Sequence, residues 1–394
     1  MDFTVPHSIL RDVEVFKVFL REHVIPRLAS WHQERSLPRS LFAALGKEGW
    51  FGFTWEEGRL SKRPTLRTAL LGEQLARISP GVAVAALAHN DLGISGLWLF
   101  GSDRLQREMG KEAVAGDLLL CLGNTESGAG SDVAGISMRA DKVQGGWVLN
   151  GAKAYVTNGA LSDGLLATAV SDPEAPRSRR LSMFLVDLDS RGVSRTRLNK
   201  QVWIPSDLTR IQLSDVFVPD DHLVGERGRG LHQVLTIFTH SRVCISALTL
   251  GTAEGAFDMA LEHARKRRIF GQRIVDQQAK AFELADLYAK MEAARLLVLR
   301  ACCAADREEP FRLDASLAKY MAVQTAREVT QWAADIFGAA SVVYEHPVHK
   351  FPLDVWAASL GEGTQDVQKL VIFREVMKRE IGAAQMPSGG AGTR

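Results

Sequence analysis

The spacing of apolar residues changes its period twice along the chain, and this restricts the fold more than any other feature. Residues 8–116 and 230–381 carry apolar side chains at three-and-four spacing, which is typical of amphipathic helices. Between them, segments such as ISMRADKV and TRIQLSDVFV alternate with a period of two, which is typical of strands. We therefore predict an α+β protein with an all-α N-terminal domain (1–116), an antiparallel β domain (117–229), a C-terminal helical bundle (230–384) and a flexible tail (385–394).

Glycine, asparagine and proline mark where these segments should break. Pro26 interrupts the first helical repeat, because proline removes a backbone donor from a helix. Asn150 and Gly151 have the composition of a two-residue hairpin turn, so we expect two strands to meet there. Residues 55–64 are charged and lack a clear period, which predicts an irregular connection.

The overall composition is that of an ordinary globular protein. The chain has 48 Lys and Arg against 46 Asp and Glu residues, with both signs interspersed, which argues against nucleic acid or an acidic membrane surface as a partner. The N-terminus lacks the basic and apolar regions of an export signal, and no apolar run looks long enough to span a bilayer. We expect neither export nor membrane insertion.

The chain has four cysteines: Cys121, Cys244, Cys302 and Cys303. They form no C-x-x-C pair and no cluster with histidine at metal-ligand spacing, so no metal site is predicted. Their small number suits a reducing, cytoplasmic location.

The stretch TESGAGSD, residues 125–132, is the first candidate for a ligand site. Glycine in a helix interior costs roughly 1 kcal/mol relative to alanine, so the two glycines favour a tight loop whose backbone N–H groups are free. Such a loop suits the polar edge of a flavin ring or a phosphate group. Taken alone, an ordinary surface turn explains the stretch equally well.

Three further stretches follow in the chain. NGAKAYVTNG (150–159) offers the ring of Tyr155 and the hydroxyl of Thr157, RIFGQRIVDQQ (268–278) is basic, and GEGTQDVQ (361–368) holds a carboxylate between two glycines. Together with residues 125–132, these stretches resemble the acyl-CoA dehydrogenase family of flavoproteins, from about Met1 to Glu380. The resemblance implies the fold of that family, with a four-helix C-terminal bundle.

The same resemblance implies an FAD-dependent oxidoreductase. Such an enzyme removes a proton from Cα and a hydride from Cβ of an acyl-CoA thioester and leaves the trans-2-enoyl-CoA, and the flavin carries the reactive chemistry. It also implies reoxidation by an electron-transferring flavoprotein and assembly as a homotetramer.

The resemblance assigns the cofactor to residues of two subunits. Thr125, Gly130 and Ser131 match positions that bond the polar edge of the flavin, Thr157 one that reaches its N5 region, and Tyr155 an aromatic that stacks on the ring. The other matched positions, several of which serve the pyrophosphate and adenosine of a neighbouring subunit, are Arg267, Phe270, Gln278, Asp335, Gly338, Ala339, Thr364 and Asp366. Considered alone, Tyr155 is explained by a half-buried strand and Arg267 by a solvated helix face.

Glu362 is the predicted general base. Drawing a proton from the carbon beside a thioester carbonyl needs a carboxylate whose basicity is raised by burial. The resemblance implies that the thioester carbonyl accepts a hydrogen bond from the Glu362 N–H and from a flavin hydroxyl. Where the family carries a tyrosine before this glutamate, the chain has Gly361, so we expect a wider pocket for a bulky, branched or cyclic acyl group. The alternative role for Glu362 is an acid at a helix N-terminus.

The resemblance assigns six positions to the substrate: Ser131, Phe238, Thr239, Arg242, Gly363 and Asp91. Thr239 stands where an aspartate often meets the adenine of CoA, which leaves a carrier-protein thioester as an alternative. Asp91 is either a second proton acceptor for an unusual desaturation or, as the commoner role, a solvated helix cap.

Two other classes of protein remain open. A flavin oxidase or monooxygenase on the same fold would lack a base at Glu362 and react fast with oxygen. A non-catalytic flavin or nucleic-acid binder would need a basic C-terminal face. Glu362 and the balanced charge argue against both.

Overall fold

The computed structural model describes residues 4–384, and the predicted flexible tail, residues 385–394, lies outside them. Helices come first along the chain, a β-sheet follows, and helices return after it. This order confirms the α+β class predicted from the change of hydrophobic period.

The helices before the sheet form the first part of the fold. They are α1 (His7–Phe19), α2 (Leu28–Glu34), α3 (Arg39–Lys47), α4 (Thr65–Ile78), α5 (Pro80–Leu87), α6 (Ser95–Phe100) and α7 (Asp103–Ala115). Pro26 breaks the first helical repeat as predicted, because the chain passes through a π-helical turn, Leu20–Val24, and a 3-10 turn, Ile25–Arg27. A second π-helical segment, Ala88–Ile94, joins α5 to α6 without a break.

The irregular connection expected at residues 55–64 is a small hairpin. Strand β1 (Phe53–Glu56) pairs antiparallel with β2 (Arg59–Lys62), and Glu57 and Gly58 turn between them with positive φ angles of 50° and 79°. Four-residue strands with mostly polar side chains give too short an alternation to be recognised in the sequence.

The middle of the chain forms one sheet. Its strands are β3 (Leu120–Gly123), β4 (Arg139–Val143), β5 (Gly146–Thr157), β6 (Gly164–Val170), β7 (Leu181–Asp187), β8 (Val193–Arg197), β9 (Leu208–Pro219) and β10 (Leu223–Val224). They run in the order β10-β7-β6-β4-β5-β9-β8, and β3 pairs with β6. The pairing is antiparallel except where β6 meets β3 and β4.

The hairpin turn predicted at Asn150 and Gly151 is wrong. Both residues lie inside β5, where the register against β9 shifts and Gly151 takes a φ of 145°. The Asn150 amide bonds Asp215 of β9, because its Oδ1 accepts from the Asp215 N–H at 2.8 Å and its Nδ2 donates to the carboxylate at 3.0 Å. The dipeptide therefore makes a β-bulge rather than a turn.

The second set of helices follows the sheet. These are α8 (Gly230–Lys266), α9 (Gln278–Asp306), α10 (Arg312–Phe337), α11 (Lys350–Ala358) and α12 (Gln365–Ala384), and the short strands β11 (Arg268–Ile269) and β12 (Gln272–Arg273) lie between α8 and α9. Helix α8 packs against both α4 and α10 through small and aliphatic side chains. At the α4 crossing only glycine fits, since a Cβ on Gly251 would stand 2.1 Å from the Glu73 carbonyl oxygen.

Two helical stretches pass a length and composition test for crossing a bilayer, contrary to the expectation from the sequence. They are Pro80–Phe100 and Gly230–Lys266, and 72% of the apolar window of each is buried inside the fold. Their apolar character is explained by their place in the core.

Candidate active site

A cavity of about 530 Å³ opens between the sheet, α8 and the loop that joins α11 to α12. This volume lies in the range of cofactor and small-molecule sites. The predicted site residues that line it are Thr125, Gly130, Ser131, Tyr155, Thr157, Phe238, Arg242, Glu362, Gly363 and Thr364. Stretches far apart in the sequence thus meet in one cavity.

A buried ion pair between Glu126 and Lys153 fixes the glycine-rich loop, residues 125–132, on the side away from the cavity. Glu126 accepts hydrogen bonds from Lys153 Nζ at 2.8 Å, from the Ser137 N–H at 2.8 Å and hydroxyl at 2.6 Å, and from the Met138 N–H at 3.0 Å. The Lys153 side chain is fully buried, and burial lowers its pKa to about 8. Because the carboxylate points inward, Thr125, Gly130 and Ser131 are left on the cavity side.

Tyr155 presents its ring to the cavity because the backbone of β5 bends at this residue. Its φ is +57°, which is rare for an aromatic residue, and the register against β9 shifts between Lys153 and Val156. The side chain is 62% exposed although it belongs to a strand of the sheet. An aromatic ring in this position offers a stacking surface to a flat ligand in the cavity.

Glu362 lies on the opposite wall of the cavity, in the turn between α11 and α12. Its φ is +48°, and the following Gly363 has a φ of +93°. Its Oε2 is buried and has no hydrogen-bond partner among the described residues. Burial raises the pKa of Glu362, while the charges of Lys319 and Arg242 oppose the rise.

Three successive carbonyl groups of this turn are bonded by buried side chains. Lys319 Nζ donates to the carbonyls of Gly361 and Gly363, the latter at 2.7 Å. The Arg242 guanidinium donates to the Glu362 carbonyl at 3.3 and 3.4 Å, and Gln368 Nε2 donates to the same carbonyl at 3.2 Å. The backbone around Glu362 is therefore fixed from α8, α10 and α12.

Gly361 leaves space beside the glutamate, but the indole of Trp203 borders that space. A Cβ at Gly361 would stand 3.9 Å from Cη2 of Trp203. Trp203 lies in the connection between β8 and β9, and its backbone N–H donates to the buried carboxylate of Asp354 on α11. Position 361 lacks the tyrosine ring that the family carries there, and the indole of Trp203 borders the space that this ring would take.

Asp91 is not a helix cap. It lies in the middle of the π-helical segment Ala88–Ile94 and borders a small cavity of about 50 Å³, which shares Leu87 with the larger one. Burial raises the pKa of Asp91 to about 6, and its charge in turn raises the pKa of Glu362. The two carboxyl groups are therefore electrostatically coupled.

Two other predicted residues do not reach the cavity. The Thr239 hydroxyl donates to the Leu235 carbonyl of its own helix at 2.8 Å. Asp366 is exposed and pairs with Lys369 at 3.2 Å.

The residues predicted to serve a neighbouring subunit lie away from the cavity. The positions concerned are Arg267, Phe270, Gln278, Asp335, Gly338 and Ala339, each of them at least partly exposed. Phe270 is 99% exposed and takes a φ of +50°. None of the six borders the cavity of the chain described.

The sequence did not single out the residues that support the glycine-rich loop and the turn that carries Glu362. These are Glu126, Lys153, Lys319, Gln368 and Trp203. Lys319 carried a usable signal, because it is a single lysine on an otherwise apolar helix face that includes Ala315, Ala318 and Ala322. Among the residues described, no group of three or more His, Cys, Asp or Glu side chains is placed to hold a metal ion.

The cavity fits a flavin by two observations. The exposed Tyr155 ring offers a stacking surface, and the glycine-rich loop leaves an open edge, since nothing lies within 4 Å of where a Cβ on Gly128 or Gly130 would stand. The Thr125 and Thr157 side chains supply polar groups on the same wall. These residues suit a flat, polar-edged ring.

Family models for the three domains of acyl-CoA dehydrogenases match the chain in order. The N-terminal domain model matches residues 11–117, the middle domain model 121–216 and the C-terminal domain model 228–377.

Curated relatives cover nearly the whole chain. A probable acyl-CoA dehydrogenase, YngJ, of Bacillus subtilis is 30% identical over 93% of this chain and 97% of its own length. Benzylmalonyl-CoA dehydrogenase of Aromatoleum aromaticum is 32% identical over 95% of this chain and 100% of its own length.

Solved structures share the fold. Butyryl-CoA dehydrogenase of Megasphaera elsdenii has a TM-score of 0.91 and 28% identity, and covers 96% of this chain and 100% of its own. A chain from a study of the electron-transferring flavoprotein of Acidaminococcus fermentans has a TM-score of 0.92 and 25% identity, with the same coverage.

The Glu126–Lys153 pair should be essential to the glycine-rich loop. In Glu126→Gln the lysine is left buried without a counter-charge, so we expect the free energy of unfolding to fall by about 3 to 5 kcal/mol. Flavin should also be released more readily on dilution, as measured by the rise in free flavin fluorescence. The control is Asp132→Asn in the same loop, which removes an exposed pair with Arg177 and should change little. Equal behaviour of the two variants would contradict the role of the buried pair.

Proposed function

The chain belongs to the acyl-CoA dehydrogenase family, and from that premise we propose that it oxidises an acyl thioester between Cα and Cβ with Glu362 as the general base. One observation carries the proposal: Oε2 of Glu362 is buried and has no hydrogen-bond partner among the described residues. A buried, unpartnered carboxylate oxygen is a strong proton acceptor.

The chain's own part in the reaction is to hold this acceptor and take the proton. Burial raises the pKa of Glu362, which increases its basicity, and the charges of Lys319 and Arg242 favour its ionised form. The proton from Cα would pass to Oε2, and the Glu362 backbone N–H would donate to the thioester carbonyl and stabilise the charge that develops there. FAD, the cofactor of this family, supplies when bound the acceptor for the hydride that leaves Cβ.

Most of the residues proposed to hold FAD belong to the glycine-rich loop and to β5. Thr125, Gly130 and Ser131 would meet the polar edge of the flavin, while Thr157 and the Tyr155 ring would lie along it. Thr364, just before α12, would meet the cofactor from the side of the base. The opposite wall, with Phe238 and Arg242, is left for the thioester.

A bulky, branched or cyclic acyl group remains the proposed substrate class. Gly361 supports it, because no side chain at this position narrows the cavity beside the base. The relative from Aromatoleum aromaticum is named for benzylmalonyl-CoA, whose acyl group is bulky, and this is a second support. Trp203 would then form the wall against which such a group packs.

The thioester carrier, the electron acceptor and the location are also proposals. CoA is proposed as the carrier, with an acyl carrier protein as the alternative, since Thr239 is bonded to its own helix and offers no acid to an adenine. An electron-transferring flavoprotein in the cytoplasm is proposed as the acceptor, and the neighbour from Acidaminococcus fermentans supports it. Slow reaction of the reduced flavin with oxygen would separate a dehydrogenase from an oxidase or monooxygenase.

Glu362→Gln should abolish proton abstraction while keeping size and hydrogen bonding. We expect flavin reduction by substrate, followed anaerobically by stopped flow, to slow by about 10² to 10⁴-fold, the usual contribution of a positioned general base. FAD content should be unchanged, because the Glu362 side chain is not among the proposed flavin contacts. The exposed surface variant Glu309→Gln serves as the control. Reduction at the wild-type rate would place the base elsewhere.

Asp91→Asn tests the second proposed acceptor. If Asp91 takes a proton, the variant should turn over a cyclic acyl thioester at least about tenfold more slowly while sparing a straight-chain one. The measurement is single-turnover reduction with both substrates, read as a ratio. An equal effect on both substrates, or no effect, would show that Asp91 takes no proton from the substrate and only raises the pKa of Glu362.

The protein should be a homotetramer in solution. The positions proposed to serve a neighbouring flavin, such as Arg267 and Phe270, lie on the surface and would be completed by another copy. Large apolar side chains are exposed on α9 and α12, among them Phe282, Tyr288 and Phe373. Light scattering should give a mass of about four chains. A monomer that retains FAD would contradict the assignment.

A further inference from the structure

We propose that Lys319 is a positioning residue for the proton transfer: its ammonium group fixes the turn that carries Glu362 and supplies the positive charge that keeps the base ionised. This proposal rests on the proposed function, in which Glu362 is the base. It assigns a part in the chemistry to α10, from which no catalytic residue was predicted.

Lys319 is an ionisable group that the fold buries completely; burial lowers its pKa to about 7, while the charge of Glu362 opposes the fall, so the ammonium form is present in the acidic to neutral range. Its side chain has no exposed surface, and its neighbours on the same face of α10 are Ala315, Ala318, Ala322 and Val323. Lysine is almost never fully buried unless it is paired. Yet no carboxylate oxygen of the described residues lies within 4.0 Å of its Nζ. A purely structural position would be filled at lower cost by an apolar side chain.

The bonds that Lys319 makes explain its place. Nζ donates to the carbonyl oxygens of Gly361 and Gly363, which flank Glu362 on either side. Glu362 itself has a φ of +48°, a conformation that costs a non-glycine residue about 1 to 3 kcal/mol and persists only where the surroundings impose it. By holding both neighbours, the ammonium group imposes that conformation on the residue between them.

Lys319 differs from the other groups that face Glu362. Arg242 on α8 bonds the Glu362 carbonyl and borders the cavity, so a substrate can touch it. Gln368 on α12 bonds the same carbonyl but carries no charge. Asp91, on the π-helical segment, is the acid whose charge acts against ionisation of Glu362. Among these groups, Lys319 alone combines a positive charge with a position outside the cavity wall, so it acts through Glu362 and not on the substrate.

The direction of the electrostatic effect follows from these charges. Burial raises the pKa of Glu362, Lys319 and Arg242 lower it, and Asp91 raises it. Removing the charge of Lys319 therefore lets the pKa of Glu362 rise. The pH range in which flavin reduction depends on an ionised base should then move to higher pH.

The test compares Lys319→Gln and Lys319→Arg in the FAD-loaded protein by single-turnover flavin reduction across pH. We call the pH range in which the rate of flavin reduction increases with pH the rising limb of the profile. In Lys319→Gln this limb should move to higher pH. At pH values below the limb we expect a loss of about tenfold or more, because a pKa of Glu362 higher by one pH unit leaves about a tenth as much ionised base. Lys319→Arg keeps the charge and should return the limb to its wild-type position. Lys290→Gln, which removes an exposed lysine on α9, is the matched control.

Two further readouts do not depend on turnover. The protonated carboxyl band of Glu362, identified by its loss in Glu362→Gln, should titrate at higher pH in Lys319→Gln by infrared difference spectroscopy. Substrate affinity, measured as quenching of flavin fluorescence by a non-reducible thioester, should change by less than about threefold, because Lys319 does not border the cavity. An unmoved limb and carboxyl band, or a large loss of affinity, would overturn the proposal.

The outcomes separate this inference from the proposed function. If Glu362→Gln reduces flavin at the wild-type rate, the base assignment itself fails. If Glu362→Gln is inactive but Lys319→Gln keeps the wild-type limb, only the role of Lys319 fails. Should Lys319→Gln not fold, the double variant Lys319→Gln/Glu362→Gln, which removes both buried charges, should be recovered folded. Failure of the double variant as well would make Lys319 a structural residue and overturn the proposal.

Discussion

The cavity depends on two lysines that the fold buries completely, one beneath each wall. Lys153 bonds Glu126 and so holds the glycine-rich loop, while Lys319 bonds the carbonyls on both sides of Glu362. Both are among the largest side chains with no exposed surface. A buried charge is costly to leave unpaired, so each lysine restricts the backbone around it to the few arrangements that satisfy it. The two loops that face each other are thereby fixed before any ligand arrives.

The sequence was sufficient for the order of domains, because periodicity is a local property that survives any tertiary packing. It was insufficient where a contact across strands decides the conformation. Asn150 and Gly151 have the composition of a turn, yet the bonds between Asn150 and Asp215 of β9 draw them into a bulge inside β5. The small hairpin at residues 53–62 escaped notice because its strands are four residues long.

In the candidate site, too, the sequence predicted the residues on contiguous motifs but not the residues that support them from distant elements. Residues on contiguous motifs, such as Thr125, Tyr155 and Glu362, were identified from the sequence and line one cavity. The groups that support them come from distant helices and strands, and only packing brings them together. Of the two roles considered for Asp91, the helix cap is wrong, because a π-helical segment continues the helix through this residue and no sequence pattern marks such a segment. Trp203 borders the space at Gly361 from the connection between β8 and β9, and no sequence motif indicates this contact.

The exposed ring of Tyr155 has a consequence for how the protein is made in the cell. A newly synthesised chain that completes its sheet before meeting flavin presents this aromatic surface, together with the bare ring of Phe270, to every other protein around it. Because a ligand that binds only the folded state stabilises that state by mass action, the chain without FAD should be less stable than the FAD-loaded chain, in which the Tyr155 ring is covered.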